Sequence, residues 1–531
     1  MVTGVKFKFL TAAIAVILLL SACSNGGGNT KPSASGGTSA PSETASSAPT
    51  AQSKETINLL WLSFDPPEGD ETPVQKFLEE RFNVKIENMR VDRTSWTEHL
   101  NIRLATGEIP DLFFLWSQGE ILDYSNQGLL TELPIDLIKE KMPKYAASVD
   151  EMDPAIWDLA VVDGKNFAIP LYWLEGLTPF LPAYNGDWLK AAGFDKAPET
   201  LEEFEKLVYY FAHNDPDQNG KADTIGYSGS GKDSLATLAF NSVYSAFGTS
   251  PGAWLKADDG SLINAMVSER TREALKVLNK WYKDGVIDKE FLTTDYAKVR
   301  QDLANRRAGI IDRGMWNSYS LAIGPEFKGQ NPDTELVIGK PLIGPYGDNA
   351  GFSWGVKNNF VGMGAQVAKD PEKMDKLFEI LEAMVSDEEV YKMTYFGIEG
   401  EHYDLVDGVP TPKEQYVNLT ERGAKVGASS YYNIFGTKSS YMSQFDLSKE
   451  QAEFKKRTTE GVPAFNSLLT FIVPESSQYP DLNRIRDEYL IKFIIGEVNL
   501  DQGFDDFVKL WNSSGGEALT KAVNDRYATL K

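Results

Sequence analysis

The first patterned stretch after a polar beginning is INLLWL (57–62), an apolar run of strand length. TPVQKFLEERF (72–82) follows, with Val74, Phe77, Leu78 and Phe82 near helical spacing. Then come VKIENMRV, a helical TSWTEHLNIRLATG stopping at Gly107, and DLFFLW (111–116). Strand, helix, strand, helix, strand predicts a parallel α/β sheet, and ligands of such sheets bind beyond the carboxyl ends of the strands. VVDGKNFAIPL (161–171) reads as a hairpin turning at Asp163-Gly164. In PETLEEFEKLVYYFA, Thr200 and Glu203 form a capping box, and Leu201, Phe204, Leu207, Val208 and Phe211 line one helix face. Further helices are expected over 271–285 and, unbroken, over 370–397; GIIDRG (309–314) is a short strand, and the last sixty residues are mostly helical.

Composition changes the picture at the amino end. Lys6 and Lys8 precede an uncharged run from Phe9 to Leu20, about 12 residues, short of the ~20 that span a bilayer and typical of an export signal. Leu20-Ser21-Ala22-Cys23 ends it, and Cys23 is the only cysteine in the chain. This matches a bacterial lipobox: residues 1–22 are expected to be a signal peptide, and Cys23 to carry the lipid. Residues 24–53 contain no Val, Ile, Leu, Met or aromatic residue, so 23–54 is expected to be a disordered tether. Such a coil averages ~30 Å end to end and reaches about 100 Å at full stretch. The rest is long enough for two lobes, and a formal charge of −23 opposes binding to nucleic acid or anionic membrane. The membrane is met only through the lipid, on the outer cell face.

Several phrases, taken in order, resemble the extracellular solute-binding proteins of bacterial ABC importers, in the carbohydrate-type family 1 group. They are the lipobox, GEIPDLFFLW, FAIPL with the crossover to YNGDWLKAAGF and PETLEEF, WYKDGVIDKEF, GIIDRGMWNS and YFGIEGEHYDL. Within the group the chain is most similar to larger lipoproteins of Gram-positive bacteria and to alginate-binding relatives. The resemblance implies an α/β, two-lobed periplasmic-binding-protein-like fold with hinge crossings and a helical C-terminal part. Crossings are expected near 172–184, 308–316 and 352–358. One lobe would comprise 55–175 and 308–355, the other 176–307 and 356–531. Relatives usually carry a basic residue just before the DWL of the first crossover, where this chain has Asn185-Gly186.

A sugar offers apolar C–H faces and a hydroxyl rim, so its site needs aromatic platforms beside carboxylates, amides or arginines. Aromatics at strand ends and crossings supply the candidates: Trp61, Trp116, Tyr172, Trp173, Tyr184, Trp316 and Trp354, with Glu175 beside them. Glu399, flanked by glycines after a helix, presents a carboxylate, and Arg313 is placed to clamp a hydroxyl pair or a uronate. Any one of these tryptophans serves core packing as readily. His99, His213 and His402 fit neither a metal-ligand spacing nor a triad.

DPDQNGKAD (215–223) follows the first nine positions of an EF-hand calcium loop. Asp215, Asp217 and Asn219 would supply side-chain oxygens and Lys221 a backbone carbonyl. Gly226 stands where the closing glutamate belongs, so Asp223 would close a shortened loop, as the alginate-binding relatives imply. The alternative is a polar turn without metal. The functional expectation is a lipid-anchored, monomeric receptor that captures an oligosaccharide and delivers it to ABC permease subunits, without catalysis and with structural Ca2+. The competing class is a calcium-dependent secreted lyase or glycosidase, for which no catalytic pair of carboxylates stands out. A sensor reporting to a membrane kinase is a third.

Overall fold

The computed structural model describes residues 55–435, 442–445, 447–466, 471 and 473–528. The expected export signal (1–22), Cys23 and the expected tether lie outside the described residues. Strands β1 (Ile57–Leu62), β2 (Val84–Asn88) and β3 (Leu112–Leu115) are joined by helices Pro73–Phe82 and Trp96–Ala105. The first helix starts where Thr72 accepts the Gln75 N–H and Pro73 presets φ, and stops where Asn83 turns left-handed at φ 53°. After a helical stretch comes β4 (Ala168–Tyr172), all five residues buried. The chain then passes to β5 (Leu181–Asn185), β6 (Ile310–Gly314) and β7 (Leu336–Ile338), and returns through β8 (Gly351–Ser353) to β9 (Lys357–Met363).

Two sheets result, ordered β2-β1-β3-β9-β4 and β6-β5-β7. The first three strands are mutually parallel, as their helical crossovers require. Strand β9 runs antiparallel to both β3 and β4, with Phe360 opposite Leu115 and Lys357 opposite Tyr172. The carboxyl ends of β1, β2, β3 and β4 therefore share one edge with the amino end of β9. Both passages to the second sheet leave from that edge. In the second sheet Gly314 pairs with Leu181 and Ile338 with Ala183, so the carboxyl ends of β6 and β7 lie at the end where β5 enters.

The passages run side by side. Val356 accepts from the Trp173 N–H at 2.8 Å, Gly176 from Gly355 at 2.9 Å, and Phe352 from Phe180 at 2.8 Å. A Cβ on Gly176 would sit 2.2 Å from the Gly355 carbonyl oxygen, so only glycine lets the two backbones meet.

Two large cores are distinct. One surrounds the first sheet with Leu59, Phe113, Ile169, Val361, Leu377 and Leu381; the other gathers Trp188, Phe204, Phe211, Trp281, Phe493 and Phe507. The helices Asp481–Ile495 and Leu500–Trp511 pack into the latter. Three expectations are corrected. Segment 308–316 is no crossing: its strand β6 pairs with β5 inside the second sheet. Strand β9 and helix Pro371–Ser386 belong with the first sheet, because β9 fills the place between β3 and β4. The helix expected over 370–397 breaks at Asp387, whose carboxylate caps a new helix, Glu388–Phe396, by accepting from Glu389 and Val390. The Thr200–Glu203 capping box forms as expected.

Candidate functional site

The carboxyl edge of the first sheet carries chemistry that the sheet itself positions. Phe64 and Asp65 follow β1, Arg90 and Arg93 follow β2, and Trp116 and Glu120 follow β3. Two adjoining hollows of about 430 and 420 Å3 open there and share Arg93. Trp116 lines one of them and is half-buried; Phe64 packs 5.2 Å and Trp96 5.9 Å from its ring, centroid to centroid. The Arg93 guanidinium lies 5.0 Å from the Trp116 ring and 5.4 Å from Phe64, and its Nη1 is 3.2 Å from Asp65 Oδ2. Arg90 is paired with Asp70 at 2.7 Å.

Glu120 lies in the first turn of the helix Gln118–Asn126 that Ser117 caps, and its carboxyl accepts the Trp116 N–H. Burial pushes its pKa up to about 7, against those backbone hydrogen bonds. The carboxyl is thus fixed beneath Trp116, and Asn359, from β9, donates to the Trp116 carbonyl at 3.1 Å.

Where the passages run, a second aromatic group forms. Phe180 and Phe352 stack at 5.5 Å, Trp354 lies 5.6 Å from Phe352, and Met315, Trp173 and Phe465 join them. Strand β10 (Ala464–Asn466) pairs parallel with β8 beside this group. Lys455, on the helix Lys449–Thr459, sits 3.9 Å from Glu175 and 4.9 Å from the Trp316 ring. Arg313 donates to Asp233 and, at 3.1 Å, to Ser230, and lies over Tyr296. The arrangement offers flat apolar faces with charged pairs around them.

The sequence-derived candidates divide. Trp116, Trp173 and Trp354 are half-buried at the shared edge or the passages, and Glu175 and Arg313 keep part of their side chains exposed. Trp61, Tyr172, Tyr184 and Trp316 are corrected to enclosed residues, each about 1% exposed or less. Trp61 donates to the Tyr431 carbonyl, Tyr172 stacks on Tyr145, Tyr184 packs on Phe204, and Trp316 lies under Lys455. Glu399 is exposed beside the Tyr403–Val406 hairpin, with a separate aromatic cluster. Sequence reasoning missed Arg93, Phe64, Glu120 and Lys455. The first two were findable, because each closely follows a parallel strand's carboxyl end; nothing local marks Glu120 or Lys455.

The acidic loop is held by its own groups. Asp215 accepts from the Asn219 and Gly220 N–H groups at 2.9 and 2.8 Å. The Asn219 amide nitrogen bridges Asp217 and Asp223 at 2.8 and 3.0 Å. Among the described residues no group of three acidic, histidine or cysteine side chains is placed to hold a metal ion. Another hollow, of about 660 Å3, lies away from the shared edge, between Lys141 and Lys144 and the acidic side of helix Pro371–Ser386, and has no aromatic platform beyond the buried Phe378.

The model of the bacterial extracellular solute-binding proteins matches residues 73–398, more than half of the chain. The chain belongs to that family. Its members bind solutes and are not enzymes, which removes the degrading-enzyme alternative. Lipoprotein LipO of Bacillus subtilis is 28% identical over 92% of this chain and 95% of its own length. The fold matches the calcium-free crystal structure of the alginate-binding protein AlgQ2 with a TM-score of 0.67 at 16% identity, over 90% of this chain and 99% of that one. It matches an EF-hand mutant of the Streptococcus pneumoniae substrate-binding protein FusA, in complex with fructo-nystose, with a TM-score of 0.68 at 18% identity, over 90% of this chain and all of that one. No helix among the described residues is long and apolar enough to cross a membrane.

Proposed function

We propose that this chain is a lipid-anchored, monomeric receptor that captures an oligosaccharide between its two sheets and delivers it to the permease of an ABC importer. The observation that carries the reading is the shared edge. Trp116, Arg93 and Asp65 stand at the carboxyl ends of parallel strands, and both passages to the second sheet leave from there. The half-buried indoles can stack on sugar C–H faces, and the carboxylates and guanidinium groups around them can bond hydroxyls. Two lobes, one around each sheet, would close by bending the paired passages at Gly176 and Gly355, driven by contacts the ligand makes only when they are shut. The FusA complex with a fructan and the alginate-binding AlgQ2 support a sugar as cargo. LipO, a lipoprotein, supports Cys23 as the anchor point. A calorimetric titration against an oligosaccharide panel, with each mixture then assayed for new reducing ends, tests this. Saturable binding without cleavage is expected; a panel without a binder, or one that is cleaved, overturns it. Mass spectrometry of the membrane-bound protein checks the diacylglyceryl group on Cys23.

Calcium in the 215–223 loop is part of the same proposal. The residue types suit such an ion although the side chains are not gathered around one point here: Asp217 Oδ1 is buried, and Gly220 has the positive φ of 83° that the tight turn needs. The Asn219 amide nitrogen now lies between two carboxylates, where rotating the amide would present its oxygen to a cation instead. Asp215, Asp217, Asn219, Asp223 and the Lys221 carbonyl would hold the ion, whose charge would neutralise the loop. Chelation should lower the melting temperature by several degrees, and Asp217→Ala should abolish the difference. No shift removes calcium from the proposal.

A further inference from the structure

Glu120 is a carboxyl without a counter-ion at the place where the receptor reading seats the ligand. It is half-buried, lines the hollow of Trp116, and its Oε2 accepts the Trp116 N–H at 2.5 Å. Among the described residues no donor bonds its Oε1 and no cation pairs with it. Of the charged groups on the surrounding elements, Asp123, on the same helix, has like sign and opposes ionisation. Arg93 lines the same hollow but lies 3.2 Å from Asp65 and over the rings of Trp116 and Phe64. On the helix Trp96–Ala105, Arg103 pairs with Glu108 at 2.8 Å, and Glu98 and His99 are exposed. Asp158 belongs to the short helix Pro154–Ala160, and Lys357 opens β9 opposite Tyr172. Resting on the receptor reading above, we infer that Glu120 meets the bound sugar as a neutral carboxylic acid and donates its O–H to a ligand oxygen, so that capture takes up a proton.

The reason is what the ligand does to the carboxyl's surroundings. A sugar stacked on Trp116 displaces the water that still reaches Glu120. No opposite charge takes the place of that water, so ionisation costs more in the complex than in the free protein, and the neutral acid is the form that fits. That form also has a use. With Oε2 taken by the Trp116 N–H, the remaining O–H can serve ring, glycosidic or hydroxyl oxygens, all of which accept. In the free protein burial already holds the pKa at about 7, so near neutrality roughly half of the molecules carry the proton. Below that pH binding needs no further proton. Above it each capture must draw one from solvent, and affinity falls as pH rises.

The test titrates the full-length protein, in detergent, at pH 6, 7 and 8 with fructo-, manno- and xylo-oligosaccharides and oligogalacturonates, none of which changes charge over that range. The expected result is affinity about tenfold weaker at pH 8 than at pH 6, with nearly one proton taken up per ligand at pH 8, read by calorimetry in phosphate and in Tris. Glu120→Ala should weaken binding about fivefold at pH 6. Glu120→Gln, whose amide can donate where the acid does, should restore most of that loss and make affinity independent of pH. Proton uptake that survives in Glu120→Gln belongs to another group and overturns the inference. So does an affinity that is flat with pH in the unaltered protein, or one that falls toward pH 6, which would show the carboxylate itself meeting the ligand; either leaves the receptor reading intact. Absence of binding across the panel removes the receptor reading and the inference with it.

Discussion

Trp61 and Trp116 come near the carboxyl ends of neighbouring strands of one sheet, but Trp61 lies inside the ladder opposite Leu112 while Trp116 projects beyond it, and they have opposite fates. Trp61 is fully enclosed: its indole N–H donates to the Tyr431 carbonyl at 2.9 Å, and the Tyr431 hydroxyl donates back to the Trp61 carbonyl at 2.9 Å. Trp116 keeps part of its ring on a hollow, with a guanidinium 5.0 Å away. The covering segment comes 370 positions after Trp61, bringing Tyr431 and Tyr432 over it. Register along the sheet and what arrives later in the chain together decide whether a tryptophan near a strand end stays available for binding.

Four measurements sharpen or break this contrast. Trp61→Ala opens a cavity inside the first core and should cost about 3–5 kcal/mol of stability, read from the urea midpoint. Trp116→Ala should leave that midpoint nearly unchanged and weaken sugar affinity by about 2 kcal/mol, some thirtyfold. If instead Trp116→Ala unfolds the protein and Trp61→Ala selectively removes binding, the assignment is inverted and wrong.

Glu120, beneath Trp116, gives a pH signature that nothing around Trp61 provides. Its pKa in the fold is raised to about 7 from the ordinary 4.5, so between these values the folded state holds a proton that the unfolded chain has released. Its contribution to stability is therefore intact below pH 4.5 and lost as pH climbs through 7. Glu120→Gln should remove that loss, stabilising the protein at pH 8 by about 1–2 kcal/mol and scarcely at pH 4.5, as checked by melting curves at both values. A pH dependence of melting unchanged by the substitution would show that the carboxyl is not desolvated. Tyr431→Phe, the mildest change, removes one of the two reciprocal hydrogen bonds at Trp61 and should cost about 1 kcal/mol without altering affinity.

The fold's beginning was open to inspection in the sequence. INLLWL, PVQKFLEERF and DLFFLW became β1, the first helix and β3 with boundaries within a residue or two, because each is set by local spacing, a threonine cap and an asparagine stop. The Asp387 break was missed for a local reason that competes with periodicity: an aspartate that caps the next helix sits inside an otherwise continuous apolar repeat. The larger error concerned partners. GIIDRG was rightly read as a strand but joined to the wrong sheet, and β9 entered the first sheet from the far side of the second. Arg313 illustrates the same gap within the site. The sequence offered a guanidinium free to clamp a ligand, and the structure shows it bonded to Asp233 from a segment eighty positions earlier.

By itself the sequence determined most of the elements, their caps, the short apolar run that ends at a lone cysteine, the acidic spacing of the 215–223 loop, and the family, since these depend on neighbours within a few turns of chain. Only the tertiary structure decided which aromatics face a hollow, which cations are already neutralised and where the two passages touch. Those properties are set by groups that meet across hundreds of residues, and the burial of a ring or the pairing of a charge is a property of the assembled surface around it rather than of the segment that carries it.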